Sequence, residues 1–160
     1  MPVYKTAILW NRNGAKFVDQ EYQRTHTWTF ENGLKLKAAA SSHIVRELFT
    51  DPSVIDPEEA FTASVASCHM LWFLSLAAGK GFVVNKYSDH SEGTLEKNSE
   101  GNLAMTKVLI QPVISFEAEN APSEEDFLKL HQEAHRKCFI ANSIKSDIEI
   151  LPKIVTDQNL

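Results

Sequence analysis

The sequence predicts an α+β domain: strands first, a long helix in the middle, more strands, a second helix and a closing strand. Three observations carry this. Residues 24 to 30, RTHTWTF, alternate Thr with His26, Trp28 and Phe30 in period two and run into Asn32-Gly33, a tight hairpin turn. Asp56, Pro57 and Glu59 supply an N-cap, a first-turn proline and a capping box ahead of a long apolar run. Ser123 opens a second amphipathic stretch, EEDFLKLHQEAHRKC.

In chain order, residues 3 to 10 read as a strand, 24 to 30 as its neighbour, and LKLKAAA as the partner across the Asn32-Gly33 turn. A loop over 41 to 55 leads to the helix that starts at Asp56 and stops at Gly79 and Gly81, where only glycine turns the chain cheaply. Residues 82 to 97 and 103 to 118 read as strands joined by a turn at 99 to 102, and 146 to 151 as the last strand. No repeat or low-complexity linker divides the chain, so residues 1 to 160 are expected to form one domain.

Composition excludes several classes of function. The chain has 43% hydrophobic and 23% charged residues, within the range of globular domains. Its net charge of −5, with basic residues scattered singly or in pairs, gives no stripe to neutralise phosphates, so no nucleic acid partner is expected. The apolar run near the N-terminus is shorter than a signal peptide needs, and Met70 to Ala78 falls short of the ~20 residues that cross a bilayer, so no membrane association is expected. A cytoplasmic location follows as the expectation. In that reducing compartment a cysteine pair is more often catalytic, redox-sensing or metal-binding than a structural staple.

The two cysteines, Cys68 and Cys138, each stand alone in their own helical segment. At about 100° per residue, Phe61, Ser64, Val65, Leu71, Trp72 and Ser75 fall within about 60° of Cys68, so its thiol is expected on an apolar, inward stripe. Cys138 shares a face with Phe127, Leu130, His131 and Ala134. Two buried cysteines are often only small hydrophobes. Small neighbours at Ser64, Ser67 and Ser75, acidic Glu58 and Glu59 on the same helix, and arginines at 12, 24, 46 and 136 favour chemistry instead. The competing reading is a metal site: His131, His135 and Cys138 follow i, i+4, i+7 spacing, and Cys68 or His69 could complete a tetrahedral zinc set, although no Cys-x-x-Cys pair supports it. A non-catalytic binding role is the third.

The segment DPEEAFTASVASCHMLWFLSLAA, with its Pro-Glu pair ten residues before a cysteine, resembles the central helix of the OsmC/Ohr family of thiol-dependent peroxidases. EAHRKCFIANSIKSDIEI resembles that family's second-cysteine region, and the order of elements fits over nearly the whole chain. The resemblance implies antiparallel sheets packed around a long central helix in an intertwined homodimer. It implies reduction of organic hydroperoxides in oxidative stress defence, without a cofactor. Cys68 would attack the peroxide and Cys138 would close a disulfide, reset by a dithiol on a lipoyl protein or a thioredoxin-like protein. An arginine would favour the Cys68 thiolate and Glu58 would orient it. Arg24 matches the hydroperoxide-reductase branch and is preferred, Arg46 the other branch. Ten residues of unbroken helix separate Glu58 from Cys68 by about 15 Å, so either the helix breaks or Glu58 acts across a subunit interface. Phe139, His69, His26 and Trp28 depart from the family pattern and imply a divergent branch.

Overall fold

The structure, a computed structural model, describes residues 1–155. The chain divides into two compact units, Met1–Ala60 and a second that begins at Phe61. Each is built around its own sheets.

In the first unit, β1 (Thr6–Leu9), β2 (His26–Phe30) and β3 (Lys35–Ala38) form an antiparallel sheet in the order β1-β2-β3. The predicted turn is present: Gly33 has φ +83°, and Phe30 donates to the carbonyl of Leu34 at 2.9 Å. The register aligns Ile8, Trp28 and Leu36 in one cross-strand row and Leu9, Thr27 and Lys37 in the next, so one face is apolar and the other carries Thr and Lys. Residue 24 is not in the strand, which starts at His26; Arg24 ends the long β1–β2 connection. Three rings organise that connection. Phe17 stacks on Tyr22 at 4.9 Å, and Trp10 meets Tyr22 edge-on at 5.4 Å. The expected 41 to 55 loop contains one short 3-10 turn, Glu47–Phe49.

Helix α1 (Pro57–Gly79) begins as expected: Glu59 N–H donates to Asp56 Oδ1 at 2.8 Å and Asp56 N–H to Glu59 Oε2 at 3.4 Å. It ends in a Schellman closure. Phe82 N–H reaches the Ala77 carbonyl, Gly81 N–H the Ala78 carbonyl, and Gly81 takes the left-handed φ of +80°. Through the second unit follow β4 (Val84–Ser88), β5 (Glu92–Lys97), β6 (Leu103–Ile110), β7 (Val113–Phe116), α2 (Glu124–Lys137), β8 (Asp147–Ile150) and β9 (Lys153–Val155).

These strands make two sheets, β4-β7-β9 and β5-β6-β8. The two long strands expected at 82 to 97 and 103 to 118 are therefore four. Between β4 and β7 the chain passes from one sheet to the other twice, and these two crossings are pinned together where Gln111 N–H donates to Asp89 Oδ1 at 2.7 Å, with Pro112 beside it. Pairing is antiparallel within β4·β7 and β5·β6, but β8 and β9 add in parallel to β6 and β7, so the sheets are mixed rather than purely antiparallel.

Two apolar clusters meet along α1. Val65 packs with Val108 and Ile110 of β6 and with Ile148 and Ile150 of β8; Phe73 and Ala77 pack with Ile114 and Phe116 of β7 and with Phe127, Leu130 and Ala134 of α2. Each fully buried side chain of this size contributes roughly 1.5–3 kcal/mol. By length and composition α1 could cross a bilayer; one face of it packs in these clusters and much of the rest is open. At Gly93 the helix packs tightly on β5: a Cβ there would overlap Thr62 Oγ1 of α1 and Met105 Cε of β6, so the strand carries glycine.

Candidate active site

Cys68 lies midway along α1 and Cys138 is the C-cap of α2, where φ −65° and ψ 113° take the chain out of the helix. Both are free thiols, and they lie near enough for Cys68 to help raise the pKa of Cys138. Packing of α2 against α1 through Phe127, Leu130 and Ala134 thus joins the two residues that sequence kept furthest apart.

Their surroundings differ. Cys138 is 1% exposed, and its pKa is pushed up to about 11, chiefly by burial and then by the hydrogen bond with Cys68. The Ala141 N–H, 3.4 Å from Sγ, opposes the shift without reversing it. Cys138 is therefore a neutral thiol at pH 7 and a poor nucleophile. Cys68 is half-buried. The buried stripe of α1 is Thr62, Val65, His69, Phe73 and Ala77, while Leu71, Ser64 and Ser75 are exposed. The inward stripe expected around Cys68 is thus centred one residue further on, at His69, and Cys68 sits on its shoulder, open to a small molecule.

That shift brings in a contact which the two histidines did not announce. His69 Nε2 and His131 Nδ1 are 2.9 Å apart, with the rings stacked at 5.2 Å and nearly parallel. His131 also stacks on Phe73 at 4.3 Å and meets Phe127 edge-on at 4.7 Å. Burial lowers both pKa values, His69 to about 4 and His131 to about 3, so the pair is neutral. The signal for it was present in the sequence: His69 falls on the Val65-His69-Phe73-Ala77 spacing, and His131 on that of Phe127-His131-Ala134.

The metal reading finds no support in this geometry. Among the described residues no three His, Cys, Asp or Glu side chains gather in a metal-binding arrangement, so His131, His135 and Cys138 do not form a set with Cys68 or His69. His131 Nδ1 is turned to His69, and Cys138 leaves the helical face that the spacing assumed.

Outside the pair, Trp72, one turn after Cys68, meets Phe139 edge-on at 5.5 Å, and Lys137 Nζ lies 5.4 Å over the Trp72 ring. Phe139 is 69% exposed, so an aromatic rim flanks the sulfurs. In the first unit the Arg24 guanidinium donates to the carbonyls of Gln20 at 2.9 Å and Tyr22 at 2.5 Å and lies 3.9 Å over the Tyr22 ring. Arg46 is exposed, 5.7 Å from the Phe49 ring. Glu58 is half-buried in the first turn of α1, and α1 has no break after it.

A family model described as OsmC-like protein matches residues 50–152. No curated protein matches the chain. Among solved structures, an OsmC-like protein of unknown function from Vibrio cholerae is 40% identical, with 97% of this chain and 100% of that chain covered and a TM-score of 0.90. An organic hydroperoxide resistance protein from Elizabethkingia anophelis, 13% identical, covers 98% of each chain at a TM-score of 0.71. One from Legionella pneumophila, 19% identical, covers 96% of this chain and 97% of that chain at 0.62. The latter two likenesses are of fold. With the matched region spanning both cysteines and the α+β architecture shared along the whole chain, this protein belongs to the OsmC-like family.

Proposed function

We propose that this protein is a two-cysteine peroxidase that reduces organic hydroperoxides. The observation that carries the reading is the pair of free thiols, Cys68 half-buried on α1 and Cys138 buried at the end of α2, near enough that Cys68 helps raise the Cys138 pKa. The Cys68 thiolate attacks the distal oxygen of ROOH; the O–O bond breaks, ROH leaves with one proton, and Cys68 becomes a sulfenic acid. Cys138 then attacks that sulfur. Its S–H proton leaves with the hydroxyl as water, and an S–S bond forms. An external dithiol, on a lipoyl or thioredoxin-like protein, reduces the disulfide by exchange.

Arg24, already fixed by its own loop, is the cation assigned to Cys68, with Glu58 as its orienting carboxylate. Because α1 is continuous, Glu58 serves the site from the partner subunit of a homodimer. Apolar side chains open in one chain support that assembly: Ile8 is 61% exposed and Leu71 61%.

The test uses two variants. Cys68→Ser is expected to consume no cumene hydroperoxide, whereas Cys138→Ser consumes one equivalent and leaves Cys68 as a sulfenic acid trapped by dimedone. Loss of the first turnover in both, or turnover by Cys68→Ser, contradicts the assignment.

A further inference from the structure

The core of the second unit holds two imidazoles where leucine or phenylalanine would pack at lower cost. His69 is 1% exposed and His131 3%, and among the described residues neither His69 Nδ1 nor His131 Nε2 has a hydrogen-bond partner. Whichever ring donates, the bond between them leaves one buried N–H and one buried lone pair unsatisfied, which opposes folding. Such a pair is retained where it fixes an arrangement that apolar packing leaves free to slide.

Its place shows what it fixes. His69 follows Cys68 directly on α1, and His131 lies two turns before Cys138 on α2, about 10 Å along the axis. The apolar contacts between the helices are Phe73 with Phe127, Leu130 and Ala134, and apolar surfaces tolerate small slides and rotations. A single directional bond, beside Cys68 on α1 and two turns from Cys138 on α2, does not. It has no competing partner within the described residues, so α2 has one rotation and one depth against α1 at which it is made. In that same setting Cys138, at the end of α2, is near enough to Cys68 for the two thiols to influence each other.

We propose that His69 and His131 are positioning residues for disulfide closure: their hydrogen bond holds Cys138 against Cys68 in the reduced protein, so that the sulfenic acid is resolved before a second peroxide oxidises it to sulfinic acid. This rests on the peroxidase reading for the sulfenic step. The positioning itself does not.

Asn places its amide where Nδ1 of histidine lies, and Gln places it where Nε2 lies. His131 bonds through Nδ1 and His69 through Nε2. His131→Asn and His69→Gln therefore keep the bond, while His131→Gln and His69→Asn, equally polar and similar in size, lose it. In single turnovers with cumene hydroperoxide, all four variants are expected to consume the first equivalent at the wild-type rate. His131→Gln and His69→Asn close the disulfide about tenfold or more slowly and accumulate sulfinic acid under excess peroxide, and the other two behave as wild type. Equal closure rates in all four, or equal slowing in all four, would overturn the proposal.

Equilibrium of the Cys68–Cys138 disulfide with a glutathione buffer separates the two readings: the same ordering of variants without any peroxide chemistry supports the positioning even if wild-type protein fails to consume hydroperoxide. In the unmodified protein, the pair requires one imidazole N–H resonance protected from solvent exchange whose shift differs between the dithiol and disulfide forms. Its absence contradicts the proposal regardless of how any variant folds.

Discussion

A cysteine in the middle of a helix receives no help from the helix N-terminus, so a reactive thiolate at Cys68 depends on a cation brought from elsewhere. Arg24 is the cation proposed for that role. Its guanidinium is already immobilised by two carbonyls and a ring face, so little side-chain entropy remains to be lost, whereas Arg46 is exposed. Arg24→Ala is expected to slow alkylation of Cys68 by iodoacetamide at neutral pH by about tenfold or more, the effect of removing one close opposite charge. Arg24→Lys should recover only part, because a point charge cannot bond carboxylate and thiolate in one planar fork. Glu58→Ala should be milder. Slowing in Arg46→Ala alone would assign the site to the loop arginine instead.

The helices were legible from sequence because local chemistry specifies their ends. Asp56 with Glu59, the Ser123 start and the Gly81 closure each act within a few residues, and each is present as read; Ser123 accepts from Asp126 N–H. The strands were less legible. Nothing local says that the chain changes sheets near Asp89 and Pro112, since the bond that pins the crossing joins residues far apart in sequence. Parallel pairing of β8 and β9 is likewise set by distant partners, and β9 was not foreseen at all.

The histidine pair belongs to the same class of long-range feature, and it gives the helix packing a pH dependence. Both rings have folded pKa values below the ordinary 6.5, so the unfolded chain takes up protons that the folded one refuses. Their contribution to stability is complete above pH 6.5 and is lost as pH falls toward the folded values of about 4 and 3. The urea midpoint should drop more steeply between pH 6.5 and 4.5 in wild type than in the His69→Gln, His131→Asn double variant, whose carboxylates are otherwise the same. Parallel profiles would show that the pair is not buried and neutral.

Across the whole molecule, each cysteine was visible as a residue, but their meeting depends on how α2 lies on α1, which no spacing encodes. The same holds for assembly. Exposed apolar side chains on the first sheet and on α1 call for a covering surface, and a homodimer whose dissociation and unfolding are coupled is expected. Sedimentation showing a folded monomer at micromolar concentration would argue against it.

The fate of the two thiols under peroxide decides whether this protein is a two-cysteine peroxidase. Wild-type protein would be titrated for free thiols before and after one equivalent of cumene hydroperoxide per chain, and the products mapped by mass spectrometry. The predicted result is complete consumption of the peroxide, loss of both thiols, and one peptide pair linked through Cys68 and Cys138. Two thiols still free with the peroxide unconsumed would contradict the reading at its centre.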